Sequence, residues 1–283
     1  MHDLKRVMAI NDISGFGKCS LTVILPIISA CGVEVSVVPT AVLSTHTGGL
    51  DGFTYRDLTD DIIPFTNHLK SLNLNFDVLY SGFLGSCKQI EIIKNVFKKF
   101  KTEENFILVD PCMADNGKLY RVYDNDMVKE MKKLCLKADI LVPNITEACM
   151  LLGCEYKLYF SEKEIRDMLK ELINFGCKKA VITGINYPED KVGAACYDKL
   201  EDKFSFYFKS RVSGNFHGTG DIFASVLIAG LLNGMSLNNC VKVAVDFIVD
   251  VVKLTKENKT DERYGVNFES KIPSLIEKMN LCK

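Results

Sequence analysis

The sequence predicts an α/β fold with a doubly wound, mostly parallel central sheet that is flanked by helices. Short apolar runs alternate along the chain with longer segments of helical periodicity, which is the order of elements in β-α-β proteins. Several of the short runs are continuously apolar, as expected for strands that helices cover on both faces. In a sheet of this kind, ligands bind beyond the carboxyl ends of the strands.

Six short apolar runs are predicted as the strands of the parallel sheet. They are Arg6–Ile10, Glu34–Val38, Val78–Ser81, Phe106–Asp110, Ile140–Pro143 and Ala180–Thr183. Four helical patterns lie between them, at Ser20–Cys31, Lys88–Phe100, Asp126–Leu136 and Ser161–Phe175. The last pattern begins with Ser161 and carries Glu164 three residues later, which is the spacing of a capping box.

The last third of the chain departs from this order. Two strands, Val192–Tyr197 and Phe204–Phe208, are predicted to form a late antiparallel hairpin. A glycine-rich turn follows and leads into an apolar helix from about Gly220 to Asn233, and a further helical segment covers roughly Leu237–Thr255. No repeat, low-complexity tract or linker interrupts the chain, so residues 1–283 are predicted to form one domain.

Composition and charge exclude several classes of protein. Hydrophobic residues make up 47% of the 283 residues, which is enough for a sizeable core. The 35 basic and 36 acidic residues leave a formal net charge of −1. No field of one sign therefore covers the molecule, which argues against a nucleic-acid binder that works by neutralising phosphates.

The cysteines and the apolar segments indicate a cytoplasmic protein without a membrane partner. None of the 11 cysteines forms a C-x-x-C pair, and most lie in apolar stretches, which favours reduced thiols over disulfides or a zinc site. The apolar run Val7–Ile10 is shorter than the ~7–15 residues of a signal-peptide core. The longest apolar stretch, Ile222–Leu232, is shorter than the ~20 residues that span a membrane.

The clearest chemical signal lies in the segment N-F-H-G-T-G-D, which is Asn215–Asp221. Gly218 and Gly220, with Thr219 between them, leave the backbone N–H groups of a turn uncovered. The apolar helix that follows adds unpaired N-terminal donors and its positive dipole end. Together these groups predict a site for an anion, in particular for a phosphoryl group that carries charge in a transition state.

Asp221 lies in the first turn of that helix, beside the predicted anion site. A carboxylate in this place can orient an alcohol and accept its proton while the O–P bond forms, so Asp221 is the candidate catalytic base. The alternative is that Asp221 only starts the helix, since aspartate is common in first turns.

Four segments together resemble the ribokinase-like kinases, and among them the pyridoxal kinases. Gly218–Asp221 before an apolar helix resembles the C-terminal signature of that superfamily. The others are Asp110–Tyr120, which resembles D-P-V-M-G-D-N-G-x-x-Y, Pro143–Ala148, which resembles P-N-x-x-E-A, and Ser44–Gly48, which resembles S-N-H-T-G. Cys112 and Ala114 are departures from the first of these patterns. All four segments appear in the family's order, and the likeness extends from about Val7 to about Leu254.

This resemblance implies a ribokinase-like fold and an ATP-dependent reaction. The implied product is the 5′-phosphate of a B6 vitamer. The vitamer is pyridoxal, pyridoxamine or pyridoxine. ATP and Mg²⁺ are the implied cofactors, the need for a monovalent cation stays open, and the family often forms homodimers. By the same resemblance, Gly218, Thr219 and Gly220 form the anion hole.

The resemblance also assigns metal and phosphate roles to residues that follow strands. Glu147 and Asp110 are the implied metal ligands, and Asn144 is implied to help organise Mg²⁺ and its waters near the phosphates of ATP. An amide and a carboxylate three residues apart can face one pocket across a helix turn. The alternatives are that Asn144 or Thr146 caps the helix that runs into Leu151 and that Asp110 is a buried structural residue beside Pro111.

Four further residues are implied to contact ATP. Asp115 and Tyr120 lie in a polar loop of the kind that can cover a nucleotide. Thr183 and Gly184 end a predicted strand at the place where the family contacts the phosphates of ATP. Tyr120 could equally be a surface aromatic residue, and Thr183 with Gly184 could be an ordinary turn at the end of a strand.

The vitamin pocket is expected to come from the first part of the chain. Asp12 and Ser14 follow the first strand, and Ser44, His46 and Thr47 belong to the segment S-T-H-T-G. Pyridoxal kinases often have serine near the place of Asp12, and an acid there suggests a preference for a protonated ring or for the amine of pyridoxamine. His46 can pack on the pyridine ring, although a lone histidine is more often a hydrogen-bonded loop residue.

Other functions stay open on the sequence alone. Hydroxymethylpyrimidine kinase is the closest rival, but its last motif usually has cysteine where this chain has Asp221. A sugar or nucleoside kinase would carry more hydrogen-bonding side chains near the N-terminal pocket. An NAD-binding oxidoreductase would need a third glycine after Gly15 and Gly17 and an acid ~20 residues further on. A catalytically silent vitamin-binding protein on a kinase fold is the remaining alternative.

Overall fold

A nine-stranded, mostly parallel sheet lies at the centre of the molecule. The computed structural model describes residues 4–188 and 190–281. The strands in chain order are β1 (Arg6–Phe16), β2 (Glu34–Thr45), β3 (Tyr55–Asp57), β4 (Val78–Ser81), β5 (Phe106–Val109), β6 (Ala114–Asp115), β7 (Lys118–Leu119), β8 (Ile140–Leu141), β9 (Lys179–Tyr187), β10 (Lys191–Asp198) and β11 (Lys203–Ser210). β6 and β7 pair only with each other, and the other strands belong to the sheet.

The strand order in the sheet is β11-β10-β9-β8-β5-β4-β1-β2-β3. The strands from β9 to β2 in this order run parallel to one another. β3, β10 and β11 are antiparallel additions at the two edges. Each parallel pair needs a crossover connection, and the crossovers place helices over the sheet. The predicted doubly wound fold and the late antiparallel hairpin are both confirmed.

Helices pack on both faces of the sheet. In chain order they are α1 (Leu21–Ala30), α2 (Thr59–Ser71), α3 (Cys87–Phe100), α4 (Asn125–Cys135), α5 (Ile145–Leu152), α6 (Glu162–Ile173), α7 (Thr219–Leu232), α8 (Leu237–Glu257) and α9 (Ile272–Lys278). One core lies between the sheet and α1, α7, α8 and α9, and the other lies between the sheet and α2 to α6. Successive residues of β1 alternate between the cores, since Val7 and Ala9 face the first and Met8 and Ile10 face the second.

β1 and β2 are longer than the sequence predicts, and their extra residues shape the candidate site. The predicted strands end at Ile10 and Val38, but β1 continues to Phe16 and β2 to Thr45. The added residues of the two strands pair with each other. A polar stretch such as residues 11–15 has no apolar pattern, so its strand character depends on this pairing and cannot be read from hydrophobicity.

Helices α2 and α9 lie outside the patterns that the sequence predicts. Only Thr59, Ile62 and Thr66 are buried in α2, and Pro64 interrupts its periodicity. α9 has seven residues and buries only Leu275. Both helices present too few apolar positions for a periodic signal.

Within the part of the chain that the structure describes, no helix has both the length and the apolar character needed to cross a bilayer. The longest, α8, has 21 residues and carries charged side chains along its length. The single-domain and cytoplasmic interpretations stay predictions.

The carboxyl ends of the central strands meet the start of α7 at one edge of the sheet. Asp110 follows β5 and Asn144 follows β8, and Asn144 pairs with Thr183 of β9 in an isolated parallel bridge. A Cβ on Gly220, in the first turn of α7, would lie 3.9 Å from Asp110 Oδ2. Residues that the sequence analysis singles out on separate elements are therefore close together in space.

Candidate active site

α7 begins at a turn that requires glycine. Gly218 has a φ of +80°, and a Cβ on it would overlap the carbonyl oxygen of Lys18. The N–H of Ile222 donates to the Gly218 carbonyl at 3.0 Å and closes the first turn. The N–H groups of Thr219 and Gly220 precede this bond and have no acceptor within the helix. Because the positive end of the helix dipole lies at the same place, the turn is suited to bind an anion.

The Asp221 carboxylate lies at this turn and accepts a backbone hydrogen bond. The Ser20 N–H donates to Asp221 Oδ2 at 2.8 Å. Burial raises the pKa of Asp221 to about 7, although the Ser20 N–H lowers it, and the charge of Asp12 raises it further. A carboxyl group that titrates near neutral pH can accept the proton of an alcohol, so this position suits a general base.

Asp110 lies across from the start of α7, directly after β5. Burial raises the pKa of Asp110 well above its usual value, and the charges of Glu147 and Asp221 act in the same direction. No residue that the structure describes donates a hydrogen bond to its carboxylate. A half-buried carboxylate without donors, beside an anion-binding turn, is suited to a cation that also contacts the anion.

Asn144 and Glu147 form a capping box at the start of α5. The Glu147 N–H donates to Asn144 Oδ1 at 2.9 Å, and the Asn144 N–H donates to Glu147 Oε2 at 2.8 Å. The second carboxylate oxygen of Glu147, Oε1, accepts from the N–H groups of Met113 at 3.0 Å and Ala114 at 3.4 Å. The capping role that the sequence leaves open for Asn144 is confirmed. The metal role of Glu147 stays a prediction, and both of its oxygens already accept backbone hydrogen bonds.

The small hairpin of β6 and β7 is attached to the start of α5. Asn144 Nδ2 donates to the Ala114 carbonyl at 2.7 Å, and the Gly117 N–H donates to Thr146 Oγ1 at 3.0 Å. Asp115 is exposed on this hairpin. The sequence offers Thr146 only as an alternative cap of α5, but the cap is Asn144, and the Thr146 hydroxyl holds the hairpin instead.

The remaining predicted ATP contacts border the same edge. Tyr120 is half-buried after β7, and its N–H donates to the Met113 carbonyl at 2.9 Å. Thr183 is half-buried, and its N–H donates to the Pro143 carbonyl at 3.0 Å. Gly184 is exposed with a φ of +66°, so the chain turns there in a conformation that favours glycine.

Asp12 is buried among serines at the end of β1. It is 4% exposed, and it accepts hydrogen bonds from Ser14 Oγ at 3.0 Å and from Ser20 Oγ at 2.5 Å. Burial raises the pKa of Asp12, while the two serine hydroxyls lower it. Ser44 and Thr47, which are also predicted for the vitamin pocket, are exposed.

His46 is buried, and its hydrogen bonds define its tautomer. The Gly48 N–H donates to Nδ1 at 3.0 Å, so Nδ1 carries no proton. Nε2 then donates to the Arg263 carbonyl at 2.6 Å. Burial lowers the pKa of His46, and its ring centroid lies 4.7 Å from that of His217. The neutral ring is therefore the form that these contacts stabilise.

Ser20 and His217 are two residues at this edge that sequence reasoning does not identify as functional. Ser20 enters the sequence analysis only as the first residue of a predicted helix. His217 immediately precedes Gly218. Its position beside the glycine turn is the sequence feature that could have identified it as a functional residue. No comparable local signal exists for Ser20, because its contact with Asp221 joins residues 201 positions apart.

The chain resembles known proteins over most of its length. The model of the family described as phosphomethylpyrimidine kinase matches residues 25–266. The structure of a candidate phosphomethylpyrimidine kinase from Bacteroides thetaiotaomicron superposes with a TM-score of 0.94 at 35% identity, covering 97% of this chain and 94% of that chain. An orthorhombic crystal form described with pyridoxal superposes with a TM-score of 0.93 at 35% identity, covering 96% of each chain.

Two further proteins carry the name pyridoxal kinase. The structure of the enzyme from Lactobacillus plantarum superposes with a TM-score of 0.88 at 29% identity, covering 97% of this chain and 98% of that chain. A candidate pyridoxal kinase from Schizosaccharomyces pombe is 27% identical over 204 residues. That match covers 69% of this chain but only 58% of the yeast protein, so the chain spans less than two thirds of that relative.

The raised pKa of Glu147 predicts a pH-dependent stability. The folded protein keeps the Glu147 proton up to a pH of about 8, whereas an unfolded chain releases it near a pH of about 4.3. Glu147 therefore stabilises the fold at low pH, and this contribution is lost as the pH rises towards 8. We expect the free energy of unfolding to fall between about pH 4.3 and 8, by up to roughly 1 kcal/mol per pH unit from this group.

Denaturant unfolding of wild type and of Glu147→Gln across this pH range measures the effect. The slope should be smaller in Glu147→Gln, because the amide does not titrate. Glu171→Gln, on the exposed face of α6, is the matched control and should keep the wild-type slope. Equal slopes in wild type and Glu147→Gln would contradict the prediction.

Proposed function

The chain belongs to the phosphomethylpyrimidine kinase family, and from this premise we propose that it transfers the γ-phosphoryl group of ATP to the 5′-hydroxymethyl group of a B6 vitamer. The observation that carries the proposal is the Asp221 carboxylate at the glycine turn of α7, which combines a base with an anion-binding helix end. Asp221 also favours the pyridoxal branch over the hydroxymethylpyrimidine branch, whose last motif usually has cysteine at this place. The pyridoxal-bound neighbour at 35% identity supports the same choice.

In the proposed reaction, Asp221 orients the hydroxymethyl group and accepts its proton while the new O–P bond forms. The bond between the γ-phosphorus and its bridging oxygen breaks, and ADP leaves with that electron pair. The N–H groups of Gly218, Thr219 and Gly220 stabilise the negative charge of the transferring group. Because the turn fixes these donors before the reaction, they can stabilise the charge that develops in the transition state without reorganising.

Asp110 is the side chain best suited to hold Mg²⁺ with the phosphates. Mg²⁺ is usually bound by one or two carboxylates together with substrate phosphates and water. Among residues 4–188 and 190–281, no three His, Cys, Asp or Glu side chains form a cluster able to hold a metal ion, so phosphate oxygens would have to complete the shell. When bound, Mg²⁺ neutralises phosphate charge. Glu147 acts beside Asp110, either on the metal or through its backbone contacts.

The nucleotide is proposed to lie over the ends of β8 and β9. Asn144, the N-cap of α5, is bridged to Thr183, which supports a shared place for the two residues beside the phosphates. Thr183 and Gly184 offer a hydroxyl group and an open turn to the phosphates. Asp115 and Tyr120 would cover the nucleotide from the β6–β7 side.

The vitamin is proposed to lie over the paired extensions of β1 and β2. Asp12 and Ser14 line one side, and Ser44, His46 and Thr47 line the other. The neutral His46 ring offers a flat, uncharged face to a pyridine ring. The buried Asp12 favours vitamers that bring a positive charge, such as a protonated ring or the amine of pyridoxamine. A homodimer, a cytoplasmic location and a monovalent cation stay predictions.

Hydroxymethylpyrimidine kinase is the second candidate function. The matching family model carries the name phosphomethylpyrimidine kinase, and so does the structure at 35% identity. Both substrates present a hydroxymethyl group on an aromatic nitrogen ring, so the same base and anion-binding turn would serve either one. The ring contacts, not the phosphoryl-transfer groups, must make the distinction.

We expect turnover to be confined to B6 vitamers. The measurement is ADP release from Mg-ATP with pyridoxal, pyridoxamine, pyridoxine, hydroxymethylpyrimidine, ribose and adenosine in parallel. Asp221→Ala should lower the rate by roughly 10²–10⁴, the usual range for a positioned general base. Turnover with hydroxymethylpyrimidine or a sugar alone would support kinase activity but contradict the assignment of a B6 vitamer as substrate. No ADP release with any of the six compounds would contradict the proposal.

The rate should also follow the ionisation of Asp221. A base must be deprotonated to act, and burial raises the pKa of Asp221 to about 7, so kcat/KM should rise with pH and level off above that value. The pH profile of kcat/KM for the best alcohol in the panel, at saturating Mg-ATP, tests this. The residual activity of Asp221→Asn is the control and should lack this limb. A wild-type profile that is flat between about pH 6 and 8 would contradict the role of Asp221.

A further inference from the structure

Ser20 donates hydrogen bonds to two carboxylates at once, those of the buried Asp12 and the half-buried Asp221. Its N–H donates to Asp221 Oδ2 at 2.8 Å, and its hydroxyl donates to Asp12 Oδ1 at 2.5 Å. Ser20 is 6% exposed, so water competes little for either bond. Ser20 therefore connects Asp12 of β1 with Asp221 at the start of α7. Asp221 lies 201 positions further along the chain than Ser20.

The backbone of Ser20 is held in a conformation that serine rarely adopts. Its φ is 59° and its ψ is −137°, outside the right-handed helical and extended regions. Ser20 is the N-cap of α1, and its carbonyl accepts the first helical bonds, from Val23 N–H at 2.9 Å and Ile24 N–H at 3.0 Å. An N-cap serine normally accepts a helix N–H with its side chain, but the Ser20 side chain makes no such bond. The Ser20 hydroxyl donates to Asp12 and therefore does not stabilise the start of α1 as an N-cap side chain usually does.

The residues before Ser20 are packed against two other segments. The Lys18 carbonyl lies so close to Gly218 that a Cβ on Gly218 would overlap it, and a Cβ on Gly265 would lie 3.1 Å from the same oxygen. Lys18 Nζ donates to Asn267 Oδ1 at 2.8 Å and pairs with Glu269 Oε2 at 3.0 Å. The loop is therefore held from both sides, which explains how the unfavourable backbone angles of Ser20 are maintained.

We propose that Ser20 is a positioning residue for Asp221. Its N–H occupies Oδ2 and stops rotation of the carboxylate, which leaves Oδ1 for the substrate hydroxyl. Its hydroxyl, anchored on Asp12, holds the Ser20 peptide in the orientation that aims this N–H. Asp12 thereby acts on the base through Ser20 in addition to any contact with the vitamin. This inference rests on the proposed function, because it assigns Ser20 a role in placing the base of that reaction.

The Ser20 hydroxyl is the group to remove. Ser20→Ala deletes the contact with Asp12 and keeps the N–H, and Ser20→Gly does the same while tolerating the backbone angles. If the hydroxyl holds the N–H in place, kcat and kcat/KM for the alcohol fall together by roughly 10–100-fold in both variants, the effect of a misplaced catalytic group. Thermal unfolding and circular dichroism establish that each variant is folded at the assay temperature.

A double-mutant cycle separates positioning from a purely structural role. If Ser20 acts through the base, adding Ser20→Ala to Asp221→Asn lowers the residual rate by less than about twofold, because the base is already absent. If Ser20 only supports the fold, the same loss appears in both backgrounds and the proposal is overturned. Ser236→Ala is the matched control, since Ser236 caps α8 by accepting from Asn239 N–H at 3.4 Å. It should leave kcat unchanged.

The outcomes also distinguish this inference from the proposed function. A large loss in Asp221→Asn with wild-type kcat in Ser20→Ala and Ser20→Gly overturns the role of Ser20 alone. Wild-type kcat in Asp221→Asn, or no turnover of any alcohol by the wild type, overturns the proposed function and the role of Ser20 with it. A loss in both Ser20 variants that disappears in the Asp221→Asn background supports both.

Discussion

Four carboxylates at one edge of the sheet form the constraint on which the site depends, and of these Asp12 and Glu147 are buried while Asp110 and Asp221 are half-buried. Burial raises the pKa of Asp12, Asp110, Glu147 and Asp221, and neighbouring acids raise several of these values further. A cluster of this kind persists only if protons, hydrogen-bond donors or cations offset the repulsion. Backbone N–H groups and serine hydroxyls meet this need at three of the four. Asp110 has no such donor among the described residues. The proposed Mg²⁺ with phosphate would supply the compensation there.

The donors that hold these carboxylates connect elements from both faces of the sheet. Glu147, in α5, accepts from the backbone that leads into β6 and so ties the small hairpin to a helix of one layer. Ser20, at the start of α1, ties the end of β1 to α7 in the other layer. The hydrogen bonds that these carboxylates accept therefore also hold the loops around the site in place.

The central sheet and most of its helices could be predicted because their apolar residues follow a local period. The polar continuation of β1 could not, since residues 11–15 become a strand only by pairing with the extension of β2. α2 was missed because Pro64 and its few buried positions leave no period to detect. In the site, Asp221 and Gly218 stand out by their motif, and His217 lies beside them. The sequence leaves capping and metal binding as alternative roles for Asn144, and the structure shows the capping hydrogen bonds.

The sequence by itself determined the alternation of strands and helices, the glycine turn before α7 and the identity of the acids that follow the strands. These features depend on residue type and on neighbours a few positions away, which a sequence displays directly. Only the tertiary structure decided which donor each buried carboxylate receives. Ser20 reaches Asp221 across 201 positions, and His46 Nε2 donates to a carbonyl 217 positions away. These partners depend on tertiary packing, because a buried charge can accept hydrogen bonds only from donors that the folded chain places within about 3 Å.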